Sequence, residues 1–400
     1  MIQRELYLKR LLKFEGLPVA KVVTGIRRCG KSTLLEQFQA ELLVRGDVEK
    51  AQIVSLNFDD LENRGLLAAE ALYDFVCRKL VAGKRTYIFL DEVQNVVGFQ
   101  RVVDSLLLKK GVDLYLTGSN AWMLSGELAT LLSGRYVTIP LLPLSFSEYF
   151  SAGGEAKSVT RAFAEYRDRG GFPFFSAISN PDPEFVRTYF EGVYSTVVLK
   201  DVASRHQIND TLLLESVIRF LADNVGKIFS TKKIADALTS AGRKISVLKL
   251  ESYLAALTDA FIFYRVKRYD VKGKQYLKTG DKYYIADPGL RNFLLGNKGG
   301  DEGFLLENVV YLELLRRGYE VFIGKVGELE IDFVAIRGNE RVYIQVSLSV
   351  RDPETLAREL RPLQKLTSKY ACILLTLDDD PEADFDGIRR ANVVDWLLEH

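Results

Sequence analysis

The sequence predicts an α/β fold: a parallel sheet in the first third, a mostly helical middle and a second α/β unit at the end. Three observations predict it. Short β-branched apolar runs alternate with helical stretches from Val19 to Leu142. After Pro143 the texture turns helical and is punctuated by Gly/Pro breaks. Beyond Gly300 the alternation of strand and helix returns. Strands separated by helices imply a parallel sheet covered on both faces.

In order, Ala20–Thr24, Gln52–Phe58, Thr86–Leu90, Leu114–Thr117 and Tyr136–Leu141 read as strands, with helices such as Thr33–Leu43 and Phe99–Lys109 between them. Residues 145–222 read as helical, interrupted by Gly170-Gly171-Phe172-Pro173 and Asn180-Pro181-Asp182-Pro183. Ser230 is placed to cap a helix Thr231–Thr239 and Ser246 a helix Val247–Asp259. A Lys/Tyr-rich ribbon, Phe261–Tyr269 with Lys282–Ile285, follows, and this order suggests a winged helix. Asn297–Gly300 reads as a linker. The last unit reads as a helix Glu302–Arg317, strands near Glu320–Ile323, Glu330–Ile336, Arg341–Ser347 and Tyr370–Leu375, and a helix Pro353–Thr367. The expected domains are therefore 1–150, 151–225, 226–296 and 301–400.

Composition narrows the chemistry. The two histidines, His206 and His400, are too few for a histidine-based zinc site and argue against a Ser–His triad. Cys29, Cys77 and Cys372 are scattered and odd in number, which fits a reducing cytoplasm rather than a disulfide framework. No stretch reaches 18 apolar residues, and Met1–Phe14 mixes charges with leucines, so neither a membrane span nor a signal peptide is expected. The net charge of +1 means that any affinity for nucleic acid must come from a local patch.

One motif carries clear chemistry. Gly25-Ile26-Arg27-Arg28-Cys29-Gly30-Lys31-Ser32 fits GxxxxGK[ST] between an expected strand and a helix opening at Thr33. Glycines let backbone N–H groups curl around phosphates, and the helix N-terminus adds partial positive charge. Lys31 is placed for the β/γ-phosphates and Ser32 for Mg²⁺. Arg27 and Arg28 face either phosphate or solvent. Downstream, Tyr87-Ile-Phe-Leu-Asp91-Glu92 ends a buried strand in two acids, at the end where parallel sheets place ligand sites. Asp91 is the candidate Mg²⁺-organising carboxylate, and Glu92 the base or positioner for the attacking water. Arg135, on the turn Leu132-Ser-Gly-Arg-Tyr136, is a candidate arginine finger for the nucleotide of a neighbouring subunit; a surface arginine in a solvated turn is the competing reading.

With these segments the chain resembles the AAA+ ATPases that carry a C-terminal domain of unknown function numbered 4143. Gly25–Ser32, Phe89–Gln94, Thr117–Asn120, Leu131–Arg135, Leu142–Tyr149, Gly170–Pro173, Lys200–Arg205 and Arg358–Leu363 carry the resemblance. It implies an AAA+ P-loop NTPase domain, a winged helix and a small nuclease-like α/β domain, with ATP and Mg²⁺ as ligands. It also implies a sensor at the end of the strand Leu114–Thr117. Asn120 is the first candidate there, with Thr117 and Ser119 behind it.

Within 301–400, Glu307, Asp332 and Gln345-Val-Ser347 resemble the nuclease pattern E…D…(D/E)xK. An amide replaces the acid and Ser347 the lysine, so the pattern reads as degenerate, kept for binding rather than cutting. Glu330 reads as an exposed strand carboxylate. Between residues 226 and 282, thirteen Lys/Arg face five acids, a local surplus of eight positive charges. Tyr269, Tyr276, Tyr283 and Tyr284 interleave the ribbon. That is the footprint of phosphate contacts from a basic winged helix. The expectation is an ATP-hydrolysing machine or switch acting on DNA as a homo-oligomer. The alternatives are an ATP-gated switch for a protein partner and an ATPase-controlled nuclease.

Overall fold

The computed structural model describes residues 2–120, 134–153, 158–176, 178, 181–271, 273, 275–276, 280–296, 301–366 and 370–399. The chain forms two compact units: Met1–Leu142 with Asp259–Phe261, and Pro143–Thr258 with Ile262–His400.

The first unit opens with helix α1 (Glu5–Phe14) and then alternates strand and helix. The elements are β1 (Ala20–Thr24), α2 (Lys31–Val44), β2 (Ile53–Asn57), α3 (Ala69–Lys79), β3 (Thr86–Asp91), α4 (Phe99–Leu107), β4 (Val112–Gly118) and β5 (Tyr136–Pro140). All five strands are parallel, in the order β2-β3-β4-β1-β5. Alternation along the strands sends Val22, Ile88, Leu90, Leu114 and Leu116 to a core shared with Leu72 and Val76 of α3 and Val102, Val103 and Leu106 of α4. The other face stacks Phe89 on Tyr115, ring centroids 4.8 Å apart, with Phe38 of α2 against Tyr115 at 5.1 Å. Burial on both faces explains why β1 is solvent-excluded throughout, including Lys21, whose ammonium pairs with buried Asp113 and reaches the Leu17 carbonyl at 2.9 Å.

In the second unit, α5 (Phe146–Ala152) begins with a capping box: Ser145 accepts from the Glu148 amide at 2.9 Å, and the Glu148 side chain accepts from the Ser145 amide at 2.8 Å. Helices α6 (Val159–Arg169), α7 (Pro183–Thr196), which continues as a π-helical stretch Val197–Ser204, and α8 (Thr211–Asp223) follow. Asn180 lies outside the described residues, and Pro183 takes the first turn of α7 with Asp182 as its cap. The Gly170-Gly171 break has a tertiary cause. Gly170 sits at φ +79°, and a Cβ there would lie 1.9 Å from Asp287 Oδ1; the same carboxylate accepts from the Gly171 amide at 2.6 Å.

Helices α9 (Thr231–Ser240) and α10 (Val247–Asp259) form where expected, with Ser230 accepting from the Lys233 amide at 3.3 Å and Ser246 from the Lys249 amide at 3.2 Å. The ribbon departs from expectation. Strand β6 (Phe263–Val266) pairs antiparallel with β9 (Lys282–Ile285), whereas β7 (Arg268–Asp270) and β8 (Gln275–Tyr276) belong to the C-terminal sheet. β7 runs parallel to β10 (Glu320–Val326), so the apparent single strand Phe261–Tyr269 splits at Lys267 between two sheets. Helices α11 (Pro288–Leu295) and α12 (Glu302–Arg316) precede β10. Next come β11 (Leu329–Arg337), β12 (Glu340–Val346), α13 (Pro353–Gln364), β13 (Ala371–Thr376), β14 (Ala383–Phe385), β15 (Ile388–Asn392) and α14 (Val393–Leu398). The sheet order is β14-β15-β13-β12-β11-β10-β7-β8. The linker residues Asn297–Gly300 lie outside the described residues.

Candidate nucleotide site

The loop Gly25–Gly30 leaves the end of β1 and turns into α2 at Lys31. Its geometry favours glycine at both ends. Gly25 has φ +150°, and a Cβ would meet the Leu141 carbonyl oxygen at 2.1 Å. Gly30 is left-handed at φ +101° and precedes the first helical residue. Arg28 also adopts a left-handed conformation, φ +66°, and is exposed, while Arg27 lies 3.5 Å from Asp59. Ile26 and Cys29 are fully buried beneath the loop. The Cys29 thiol donates to the Leu141 carbonyl at 3.4 Å, and burial pushes it above the usual thiol range, so it is a packing group rather than a nucleophile. Ser32 and Thr33 are half-buried in the first turn of α2.

Lys31 is 4% exposed and folds back on its own loop, donating to the carbonyls of Gly25 at 3.1 Å and Ile26 at 3.3 Å. Its ammonium is also 3.9 Å from Glu92 Oε1. The two halves of the motif, 61 positions apart in sequence, therefore meet. Asp91 and Glu92 are each 7% exposed at the end of β3. The Thr117 hydroxyl donates to Asp91 Oδ1 and accepts the Glu92 amide at 2.9 Å. Strand order makes this inevitable: β4 lies between β1 and β3, so its last residues sit between the loop and the acids. Glu92 itself is held left-handed at φ +53°, with the Gln94 amide donating to its Oε2. Gln94 Oε1 is buried and has no hydrogen-bond partner among the described residues.

These residues fit a Mg²⁺–triphosphate. The Lys31 ammonium turns to loop carbonyls in place of phosphate oxygens, Ser32 and Asp91 supply the hard oxygen ligands Mg²⁺ prefers, and Gln94 Oε1 is placed to accept from a water beside Glu92. Asn120 is 1% exposed just beyond β4, alongside Ser119, also 1% exposed. Arg135 is elsewhere. Its carbonyl accepts the Ala20 amide at 3.0 Å, at the start of β1, whereas the loop follows the end of that strand. The four-residue rise from Ala20 to Thr24 separates them by about 13 Å along the strand. Its guanidinium pairs with Asp104 of α4. Leu131–Ser133, preceding it, lie outside the described residues.

Sequence reasoning missed one support. Arg4, 3% exposed, donates to the Cys29 carbonyl at 3.2 Å and the Leu142 carbonyl at 2.8 Å, bracing the loop from the N-terminal side. No local motif announces it. Gln94 was visible only as part of the run Phe89–Gln94.

The basic stretch of residues 226–282 is also less free than its charge count. Lys282 is 3% exposed and bound to carboxylates, and Arg265 donates to Asp281 at 2.6 Å. Lys232, Lys233, Arg243, Lys244 and Lys267 are exposed, while Lys272, Lys274 and Lys278 lie outside the described residues. Glu330, expected to be a bystander, lies 2.7 Å from the Lys282 ammonium.

Fold and site together define a P-loop nucleotide-binding protein. Residues 18–150 match the family model described as an AAA domain, and residues 160–301 that of a domain of unknown function numbered 8612. An uncharacterized protein of Haemophilus influenzae is 41% identical over 403 residues, spanning 100% of this chain and 99% of its own length. An uncharacterized protein of Methanocaldococcus jannaschii is 29% identical, over 86% of this chain and 78% of its own. The chain carries an AAA domain over residues 18–150 and belongs to one family with the Haemophilus influenzae protein. The numbering implied by the resemblance is corrected: the matched domain beyond the AAA domain is 8612, not 4143. Among solved structures, a signal-transduction ATPase with a tetratricopeptide repeat sensor from Pyrococcus horikoshii aligns with TM-score 0.31 at 15% identity, over 80% of this chain. The alignment spans 46% of that chain, less than half its length. Among the described residues no helix is long and apolar enough to cross a membrane.

Proposed function

We propose that this chain is an ATP-binding, Mg²⁺-dependent ATPase that works as an oligomeric machine or switch on DNA. The observation that carries the ATPase reading is the meeting of Lys31 with Glu92 at 3.9 Å, with Thr117 tying Asp91 and Glu92 together beside them. ATP enters the loop, and the Lys31 ammonium exchanges the Gly25 and Ile26 carbonyls for phosphate oxygens. Mg²⁺, when bound, draws charge from those oxygens, and Ser32 and Asp91 would hold it. Glu92, steadied by Gln94, orients the attacking water and takes its proton. Asn120 senses the γ-phosphate from the end of β4. Arg135, at the far end of its own sheet, neutralises transition-state charge in a neighbouring subunit.

The DNA reading rests on the helix pair α9–α10 as a winged-helix element. Lys232, Lys233, Arg243 and Lys244 are exposed on it, a set suited to backbone phosphates rather than base edges. The test is ATP turnover by the full chain with and without duplex DNA. Stimulation by DNA that Arg243→Ala/Lys244→Ala abolishes, with basal turnover intact, supports the reading. Turnover indifferent to DNA, together with no salt-dependent DNA binding, overturns the DNA part and leaves the ATPase part standing.

A further inference from the structure

The nuclease-like α/β element holds a cluster that the ATPase does not use. Glu307 of α12 and Glu330 and Asp332 of β11 face one ammonium, that of Lys282, at 2.8, 2.7 and 4.0 Å. The Tyr284 hydroxyl donates to the same Glu307 oxygen at 2.5 Å. Lys282 and Tyr284 both come from β9, a strand outside the sheet that carries Glu330 and Asp332. Asn308, beside Glu307, locks the two together by accepting the Ile285 amide at 2.8 Å and donating to the Ile285 carbonyl at 3.0 Å.

A divalent ion does not fit this arrangement. Mg²⁺ requires several oxygens at about 2.0–2.1 Å in near-octahedral array. With the Lys282 ammonium in place, the oxygens are turned to it and to other partners. Asp332 Oδ2 accepts the Val346 amide at 2.9 Å. Gln345, standing where the pattern needs an acid, accepts the Asp332 amide at 3.3 Å and donates to Glu359 at 2.9 Å. Among the described residues, no three acidic, histidine or cysteine side chains are arranged to hold a metal. An ammonium and a divalent ion also cannot share the centre of the same carboxylates, since like charges in a site of low dielectric repel strongly.

We propose that Lys282 is the resident cation of this pocket: its ammonium takes the place between Glu307, Glu330 and Asp332 that a metal ion fills in a nuclease. The pocket is then a clasp that fastens β9 to α12 and β11, not a cleavage centre. The lysine missing just past β12, where Ser347 stands, is replaced by one that arrives from a different strand and serves a different end.

The test uses the full chain without nucleotide. Mn²⁺ bound per chain is counted by electron paramagnetic resonance, melting is followed with and without Mn²⁺, and plasmid DNA is incubated in Mn²⁺. Wild type and Asp332→Asn are expected to bind the same number of ions, and neither to nick the plasmid. Lys282→Met, neutral and of similar length, is expected to melt lower by several degrees. It should also gain one Mn²⁺ and recover part of the lost Tm on adding it, while the wild-type Tm is unmoved by that site. An ion held by wild type and lost in Asp332→Asn, plasmid nicking abolished by Asp332→Asn, or a folded Lys282→Met that gains no ion would each overturn the proposal. Should Lys282→Met fail to fold, the comparison of wild type with Asp332→Asn still decides it.

Discussion

The Thr117 hydroxyl donates to the Asp91 carboxylate and accepts the Glu92 amide at 2.9 Å, so one buried oxygen sets both acids of the proposed nucleotide site. Thr117→Val keeps the shape and removes both bonds, leaving a buried N–H without a partner. ATP turnover is expected to fall about 10- to 100-fold, the usual range for groups that orient functional carboxylates. ATP affinity should change less than turnover, so kcat and Kd measured together check the role. Equal turnover by the variant and the parent would remove Thr117 from the machinery.

Lys31→Ala and Glu92→Gln separate binding from chemistry. Loss of a charge-assisted contact to phosphate is worth about 1.5–3 kcal/mol, so Lys31→Ala should weaken ATP binding by roughly one to two orders of magnitude. Glu92→Gln should bind ATP normally and turn it over about 10²- to 10⁴-fold more slowly. Fluorescent-nucleotide titration beside a phosphate-release assay reads both.

Arg135 is proposed to act across a subunit boundary because the Gly25–Gly30 loop of its own chain lies at the other end of β1. Specific activity should therefore rise with protein concentration, and Arg135→Ala should lose about 10³-fold in turnover while still binding ATP. Mixing Arg135→Ala with Lys31→Ala should restore part of the activity, since each lacks a different half of a shared site. An Arg135→Ala chain with full turnover would end the assignment.

Gly25→Ala places a methyl 2.1 Å from a backbone oxygen at a φ that side chains rarely adopt. The Leu141 carbonyl is backbone and cannot rotate away, so the loop or the end of β5 must shift. The variant should lose nucleotide binding and melt several degrees lower, as thermal unfolding would record. Gly46→Ala, where a Cβ meets nothing within 4 Å, is the control for positive φ alone.

Asp287 gives a pH signature. Burial raises its carboxyl to about 7, against the opposing pull of the Gly171, Leu290 and Gly289 amides. Because the folded value lies above the unfolded one, its contribution is fully present below about pH 4 and is lost as pH rises through about 7. Wild-type stability relative to Asp287→Asn, which carries no titrating group there, should fall by about 1.4 kcal/mol per pH unit between those limits and level off above. A difference independent of pH from 4 to 8 would show that the carboxyl stays ionised.

The sequence alone determined the elements whose signal is local. Ala20–Thr24 was readable as a strand because β-branched residues end at a glycine. Gly25–Ser32 was readable as a phosphate loop because its glycines, lysine and serine are fixed by spacing. Ser230 and Ser246 were readable as caps because a cap bonds three residues away. Tertiary structure alone decided what depends on strand order and long-range charge. Thr117 reaches Asp91 because β4 packs between β1 and β3, which no local pattern encodes. Arg4 braces the loop from 25 residues away. Lys282 looked like one of thirteen basic residues of a nucleic-acid face, yet three carboxylates 25 to 50 positions downstream hold it inside the protein. A buried charge is positioned by whichever opposite charges the fold brings within a few ångströms, and neighbours in sequence carry no record of them.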